Sequence, residues 1–367
     1  MARGLAVIGV CAITMTGTAG AGARAAGGAA SASASGIAAD LADFLVKPAE
    51  DALRDRKLGL AVSLWRGVVA IRGDADPAIE KLALAWTLAG EPEAAIEELE
   101  RRRRAVTDPE VSNAIGTEII DLEHRARGFT GSVFQVVPAE AQAREAFRRG
   151  RRAFETRRFA DAAACYRAGI EMAPDLPGNY RELGEALGKL GLRDEAVSFF
   201  GRYLRLRPFG KNADEVRARL VTAGAVGKLS VASSFACEQV WLNRQPVPLK
   251  LPIASLVVAA GHYRLLCFSE KYHFARYVNV DVEKGGNVRA DFTWAIIENR
   301  LDPWGRIVME NPDRQSEMND IGVWSEIGVP VPEDQRPLKV LLRAGDSSKR
   351  KEMYIKLEAG KRIPLAW

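Results

Sequence analysis

From Ile37 to about Leu220 the apolar residues recur at helical spacing, and after Leu220 the period falls to two. In the second stretch Leu229 and Val231 alternate with polar residues, as do Val240 and Leu242, then Tyr263, Leu265 and Cys267, then Val278, Val280 and Val282. Pro, Gly and Asn separate these runs, which is the pattern of half-buried strands joined by turns. The chain therefore predicts a multidomain α plus β protein with its helices first.

Both halves repeat. Gly150 and Gly184 are 34 residues apart, as are Ala153 and Leu187, Ala162 and Ala196, Tyr166 and Phe200, and Pro174 and Pro208. Glycine and alanine permit close helix crossings, the aromatics fill the wedge between helices, and proline stops a helix because it lacks the amide hydrogen. Upstream the signal fades but persists, with Ala61 and Ala95, and Trp65 and Leu99, again 34 apart. Residues 37–127 read as degenerate repeats or as a generic helical bundle. Gly128 to Pro138 reads as a loop interrupting the array. In the β half a shift of 75 carries Tyr263, Leu265 and Cys267 onto Leu338, Val340 and Leu342, and Val288, Ala290 and Phe292 onto Ile363, Leu365 and Trp367. A shift of 78 places Gly227, Leu229 and Val231 on Gly305, Ile307 and Met309 as the opening strand of a second copy.

The 34-residue unit resembles the tetratricopeptide repeat, closely over 143–208, with Tyr180, Leu183 and Gly184 matching its first-helix signature. Ala146 stands where that family has a large aromatic. The resemblance implies an α-solenoid of helix pairs, degenerate over 37–140 and clearer over 141–222, with Lys211 to Leu220 as a capping helix. Residues 225–295 resemble a PEGA domain, a small β module of bacterial envelope proteins. The matching pieces are Gly227-x-Leu229-x-Val231, Val240-Trp241-Leu242-Asn243, Gly261-His262-Tyr263 and Val278-x-Val280-x-Val282-x-x-Gly285. Phe235-Ala236-Cys237-Glu238 replaces the name-giving tetrapeptide, and Asn243-Arg244 replaces the expected turn pair. Residues 300–367 form the second, weaker copy. The resemblance implies two small antiparallel sandwich-like modules.

The N-terminus changes the expected compartment. Arg3, the apolar run from Leu5 to Thr16 and small-x-small sites such as Ala19-Gly20-Ala21 read as a signal peptide over 1–25. A flexible Gly/Ala/Ser leader follows over 26–36. The apolar run is too short to span a membrane, and Cys11 lies inside it, preceded by Val10 rather than a lipobox residue. Export to the periplasm or cell envelope is expected.

Composition is that of a globular chain, with 367 residues, 47% hydrophobic and 27% charged. The net charge of +5 hides a division: residues 37–142 carry 13 basic against 19 acidic residues, and residues 143–220 carry 17 against 11. Nucleic-acid binding is not expected, since only Arg148-Arg149-Gly150-Arg151-Arg152 offers a basic run. No nucleophile elbow, phosphate loop or metal-ligand spacing occurs, so neither a catalytic nor a cofactor nor a metal site is expected. His262 and His273 would need a carboxylate partner such as Asp281 or Glu270.

A binding protein remains. By resemblance, the first helices of the pairs line a groove with Arg144, Phe147, Arg151 and Phe154, then Arg181, Glu185 and Lys189. A basic groove of this kind favours an acidic protein or peptide, because arginine bonds carboxylates in a planar fork. Alternatively the acidic residues 37–142 fold back onto it. The expected function is a non-enzymatic envelope scaffold. The alternative is a carbohydrate- or cell-wall-binding protein with Trp241, Tyr272 and Trp304 as a stacking platform for surface polysaccharide. In an oxidising compartment Cys237 and Cys267 pair, or Cys267 serves as a small apolar core residue; Cys165 stays a buried thiol.

Overall fold

The computed structural model describes residues 36–126, 134–301, 305–344 and 349–367. The expected signal peptide, with Cys11, and most of the leader lie outside the described residues, as do 127–133 and Trp304.

Among the described residues ten helices come first: α1 (Ile37–Arg54), α2 (Leu58–Arg72), α3 (Ala78–Leu88), α4 (Pro92–Ala105), α5 (Pro109–Ala126), α6 (Glu140–Glu155), α7 (Phe159–Met172), α8 (Pro177–Lys189), α9 (Arg193–Leu206) and α10 (Lys211–Thr222). They form two arrays of identical plan, each with two antiparallel pairs and a closing helix. The pairs are α1/α2 and α3/α4 with α5, then α6/α7 and α8/α9 with α10. Helices α4 and α9 begin and end 101 residues apart, at Pro92 and Arg193 and at Ala105 and Leu206. The same turn joins each pair. The amide N–H groups of Lys57, Glu91, Arg158 and Leu192 donate to the carbonyls of Ala52, Trp86, Ala153 and Leu187. Each turn carries one left-handed residue, Arg56 (φ 58°), Gly90 (79°), Arg157 (59°) or Gly191 (81°).

Ala61, Ala95, Ala162 and Ala196 occupy the fourth position of the second helix in all four pairs, and all are buried. One turn later come Trp65, Leu99, Tyr166 and Phe200. Residues 37–126 are therefore helix pairs of the same kind. A Cβ on Gly150 would stand 2.6 Å from the Tyr166 ring, and one on Gly184 2.6 Å from the Phe200 ring. In the first array the matching positions hold Ala49 and Ala83.

The arrays do not continue each other. Helix α2 packs on α7, and α1 on α6, so the first pairs of both arrays meet head to head. The chain returns from α5 through 134–139, which lies along α2. Val137 N–H donates to Gly59 O at 3.2 Å, Ser63 Oγ to Val137 O at 2.7 Å, and Ala139 N–H to Met172 O at 2.9 Å. One apolar core runs across this joint, from Leu41, Leu64, Trp65 and Leu82 to Ala146, Cys165 and Met172.

Fourteen strands follow among the described residues, in two modules of identical topology. In the first, β1 (Val226–Ser233) lies between β4 (Ile253–Ala259), antiparallel, and β7 (Asn287–Phe292), parallel. Facing it, β2 (Gln239–Leu242), β3 (Gln245–Pro246), β5 (Gly261–Ser269) and β6 (Phe274–Val282) form a sheet in the order β3-β2-β5-β6. The second module repeats this with β8 (Trp294–Asn299) between β11 (Glu326–Pro330) and β14 (Arg362–Leu365). Its other sheet runs β10-β9-β12-β13, from β9 (Arg306–Glu310), β10 (Met318–Gly322), β12 (Leu338–Arg343) and β13 (Arg350–Ile355).

This topology corrects the expected opening strand. Leu229 pairs with Val288 and Ile297 with Ile363, so β8 is the counterpart of β1. Ile307 faces Leu342 as Val240 faces Cys267, so Ile307 and Met309 belong to the counterpart of β2. The second copy thus starts ahead of residue 300, at Trp294. The 78-residue match misleads because any two alternating strands match when neighbours are ignored. Strand β8 serves both modules: Trp294 and Ile296 enter the first core, Ala295 and Ile297 the second.

Polar bonds hold the helical half to the first module. Arg205 Nη1 donates to Ala260 O at 3.1 Å, Arg217 Nε to Val257 O at 3.0 Å, and Asn243 Nδ2 to Arg205 O at 3.3 Å. Among the described residues no helix is long and apolar enough to cross a membrane.

Candidate partner-binding faces

The first helices of the second array, α6 and α8, present the expected groove residues on adjacent surfaces. Arg144, Arg151 and Lys189 are exposed. Arg144 pairs with Glu140 at 3.0 Å and Arg151 with Glu155 at 3.2 Å, both one helical turn away. Exposed pairs of this kind contribute little and leave the cation available to a ligand. Arg181 is half-buried against Glu182; burial opposes its charge, but the Glu182 carboxylate outweighs it and raises its pKa. Glu185 reaches across to Arg219 on α10 at 3.0 Å.

The two aromatics are less free than the sequence implies. Phe147 packs at 5.8 Å from the Tyr166 ring, and Phe154 meets Phe159 edge-on at 5.2 Å. Both are packed against the core of the second array. The acidic segment does pack on α6, through α1, with Arg149 lying 4.9 Å over the Phe44 ring. That contact uses Arg149 and leaves Arg144 and Arg151 exposed.

The duplication supplies an internal comparison. At a shift of 101, Arg144, Arg151, Arg181 and Lys189 become Asp43, Glu50, Glu80 and Leu88, while Phe147, Phe154 and Glu185 become Val46, Leu53 and Leu84. Core positions keep their character between the arrays, as with Ala61 and Ala162, Leu82 and Leu183, and Ala85 and Ala186, all buried. The first-helix faces have opposite polarity instead. Asp43 is held by Arg72 at 2.7 Å, Glu80 by the buried Arg102, and Leu84 and Leu88 stand 40% and 39% exposed. Sequence reading found the basic face and missed the acidic one, whose signal was the 101-residue spacing.

In the β half, Cys237 and Cys267 are joined by a disulfide, with Cα atoms 5.5 Å apart. Cys165 is free and buried, and burial pushes its pKa to about 12. His262 Nδ1 lies 3.0 Å from Asp281 Oδ1, with both side chains more than half exposed. His273 lies against Trp324, ring centroids 3.9 Å apart, and Glu270 touches it only through the backbone. Of the expected stacking residues, Tyr272 and Trp241 are not brought together: Tyr272 is half-buried at the joint between modules, against Phe235 and Trp294, while Trp241 lies on the outer sheet face, and Trp304 is outside the described residues. An open depression of about 640 Å³ on the second module is lined by Glu310, Arg336, Lys339 and Tyr354. Its charges are paired among themselves, Arg336 with Glu310 at 3.0 Å and Lys339 with Glu352 at 2.9 Å.

No family model matches the chain, and no curated protein matches it. Solved structures similar to it include a crystal structure of MamA protein, 19% identical over 49% of this chain and 96% of that one, with a TM-score of 0.20. The TPR2AB domain of yeast Sti1 in complex with pHSP90 is 17% identical over 50% of this chain and 71% of that one, at 0.24. YrrB, a TPR protein with an unusual peptide-binding site, is 12% identical over 47% and 90%, at 0.21. The helical half is similar to these structures.

Proposed function

We propose that the protein is a non-enzymatic scaffold of the cell envelope, whose tetratricopeptide-like helix pairs bind a protein or peptide partner and whose PEGA-like β modules contact envelope components. The observation that carries this reading is the divergence of the duplicated faces. Two arrays with the same core differ where their first helices face outward, and such divergence serves recognition rather than folding. The basic face of α6 and α8 suits an acidic, carboxylate-bearing segment. The Cys237–Cys267 bridge supports export, because structural disulfides persist in oxidising compartments. Thiol titration of the denatured, unreduced protein without its leader is expected to count one thiol, Cys165; three would remove that support.

The test of the groove is fluorescence anisotropy with labelled acidic peptides ending in a free carboxylate. Arg144→Glu with Arg151→Glu should abolish binding and leave the melting temperature unchanged. Equal affinity for wild type and variant would sink the reading.

A further inference from the structure

The outer face of the sheet β3-β2-β5-β6 carries a row that the fold itself does not require. Trp241 lies opposite Pro246 on one side and Leu266 on the other, and Leu266 lies opposite Tyr277. The four side chains form one line across four strands. With strands about 4.8 Å apart, Trp241 and Tyr277 are separated by about 10 Å. Tyr277 is 51% exposed, and Phe268, next along β5 on the same face, is 37% exposed. Trp241 is half-buried, and its Nε1–H donates to Gln239 Oε1 at 3.2 Å, which fixes the ring.

The second module shows that this row is dispensable for folding. Its matching positions hold Val308, Leu341 and Glu352. There Lys339 pairs with Glu352 at 2.9 Å. In the first module the same two positions hold Arg264 and Tyr277, with the guanidinium carbon over the ring at 3.8 Å from its centroid. The ion pair has become a cation on an aromatic face, so among the described residues the charge of Arg264 has no carboxylate partner. Arg244, exposed in the adjoining turn, has none either among the described residues. The carboxylate on this face, Asp281, is taken by His262.

We propose that this face binds an acidic polysaccharide, a chain of carboxylate-bearing pyranose units. The C–H faces of successive sugars pack on Trp241, Leu266 and Tyr277, and Arg264 takes a carboxylate through its free N–H edge. The separation of Trp241 from Tyr277 suits a disaccharide step. Charge complementarity selects the acidic chain over a neutral one, and the narrow, single-file row selects a sugar chain over a folded protein. This deepens the envelope reading of the β modules and is independent of the helical groove.

The experiment is calorimetric titration of the full chain with oligogalacturonate and oligoguluronate, beside cellohexaose and poly-glutamate. Trp241→Val and Tyr277→Glu are the informative variants, because each installs the residue that the second module already accommodates there. The expected result is binding of the acidic sugars that weakens with salt and falls at least tenfold in each variant at unchanged melting temperature. Arg264→Ala should remove the preference over cellohexaose. Absent binding, affinity unmoved by Trp241→Val, or equal affinity for cellohexaose or poly-glutamate overturns the proposal. Peptide binding by the Arg144/Arg151 face, assayed separately, stands or falls by its own result.

Discussion

Replacing Trp294 with Ala tests whether the two β modules are one cooperative unit. The indole is fully buried and stacks on Phe274 with ring centroids 4.1 Å apart. It meets Phe235 edge-on at 5.1 Å and Tyr272 at 5.7 Å, and its Nε1–H donates to Ser233 Oγ at 2.9 Å. Large-to-small aromatic truncation in a core costs about 3–5 kcal/mol. The Ser233 oxygen loses its indole donor, though its hydroxyl still donates to Phe292 O at 3.4 Å. The lost bond adds about 1 kcal/mol, so a loss of about 4–6 kcal/mol is expected if the site does not collapse. The residue starts the second module yet fills the first core, and its neighbour Ala295 faces the other way into the second. Denaturant titration followed by near-ultraviolet dichroism gives the total. Hydrogen exchange then locates it: protection should fall in β9 and β12 as well as in β1 and β5. A loss below about 2 kcal/mol, or exchange changing in one module alone, would refute the shared-strand reasoning.

Ala162→Leu should destabilise the helical half by about 1–3 kcal/mol through overpacking at a fully buried crossing, read as a lower thermal midpoint. Arg157→Gly should stabilise it by about 0.5–1 kcal/mol, because Arg157 sits at φ 59° where the paired turn has Gly191 at 81°. The pKa of Glu310 is lowered by the backbone N–H groups of Ser316 and Lys339 and by Arg336. A depressed carboxylate contributes stability that is present above its unfolded pKa, near 4.5, and is lost as pH falls through the folded value. Acid titration of Glu310→Gln should therefore show a shallower loss of stability below pH 4.5 than the wild type.

The sequence by itself determined the two halves, the helix pairs and the strand faces. Periodicity records which side of an element is buried, and the 34-residue spacing of Ala162 and Ala196 records a crossing that only small residues permit. It also held the basic face, since Arg144 and Arg151 lie two turns apart on one helix and need no partner to share a side. What it did not hold was order in space. The head-to-head meeting of α2 and α7 depends on the return of 134–139 along α2, a set of backbone bonds with no pattern of side chains to announce it. The opening strand of the second module was misassigned because a two-residue period fits any strand; only pairing with β14 identifies β8. The row of Trp241, Leu266 and Tyr277 joins residues 25 and 11 apart in sequence, which strand register alone brings into line. Local pattern fixes what each segment buries, and tertiary pairing decides which exposed residues become neighbours.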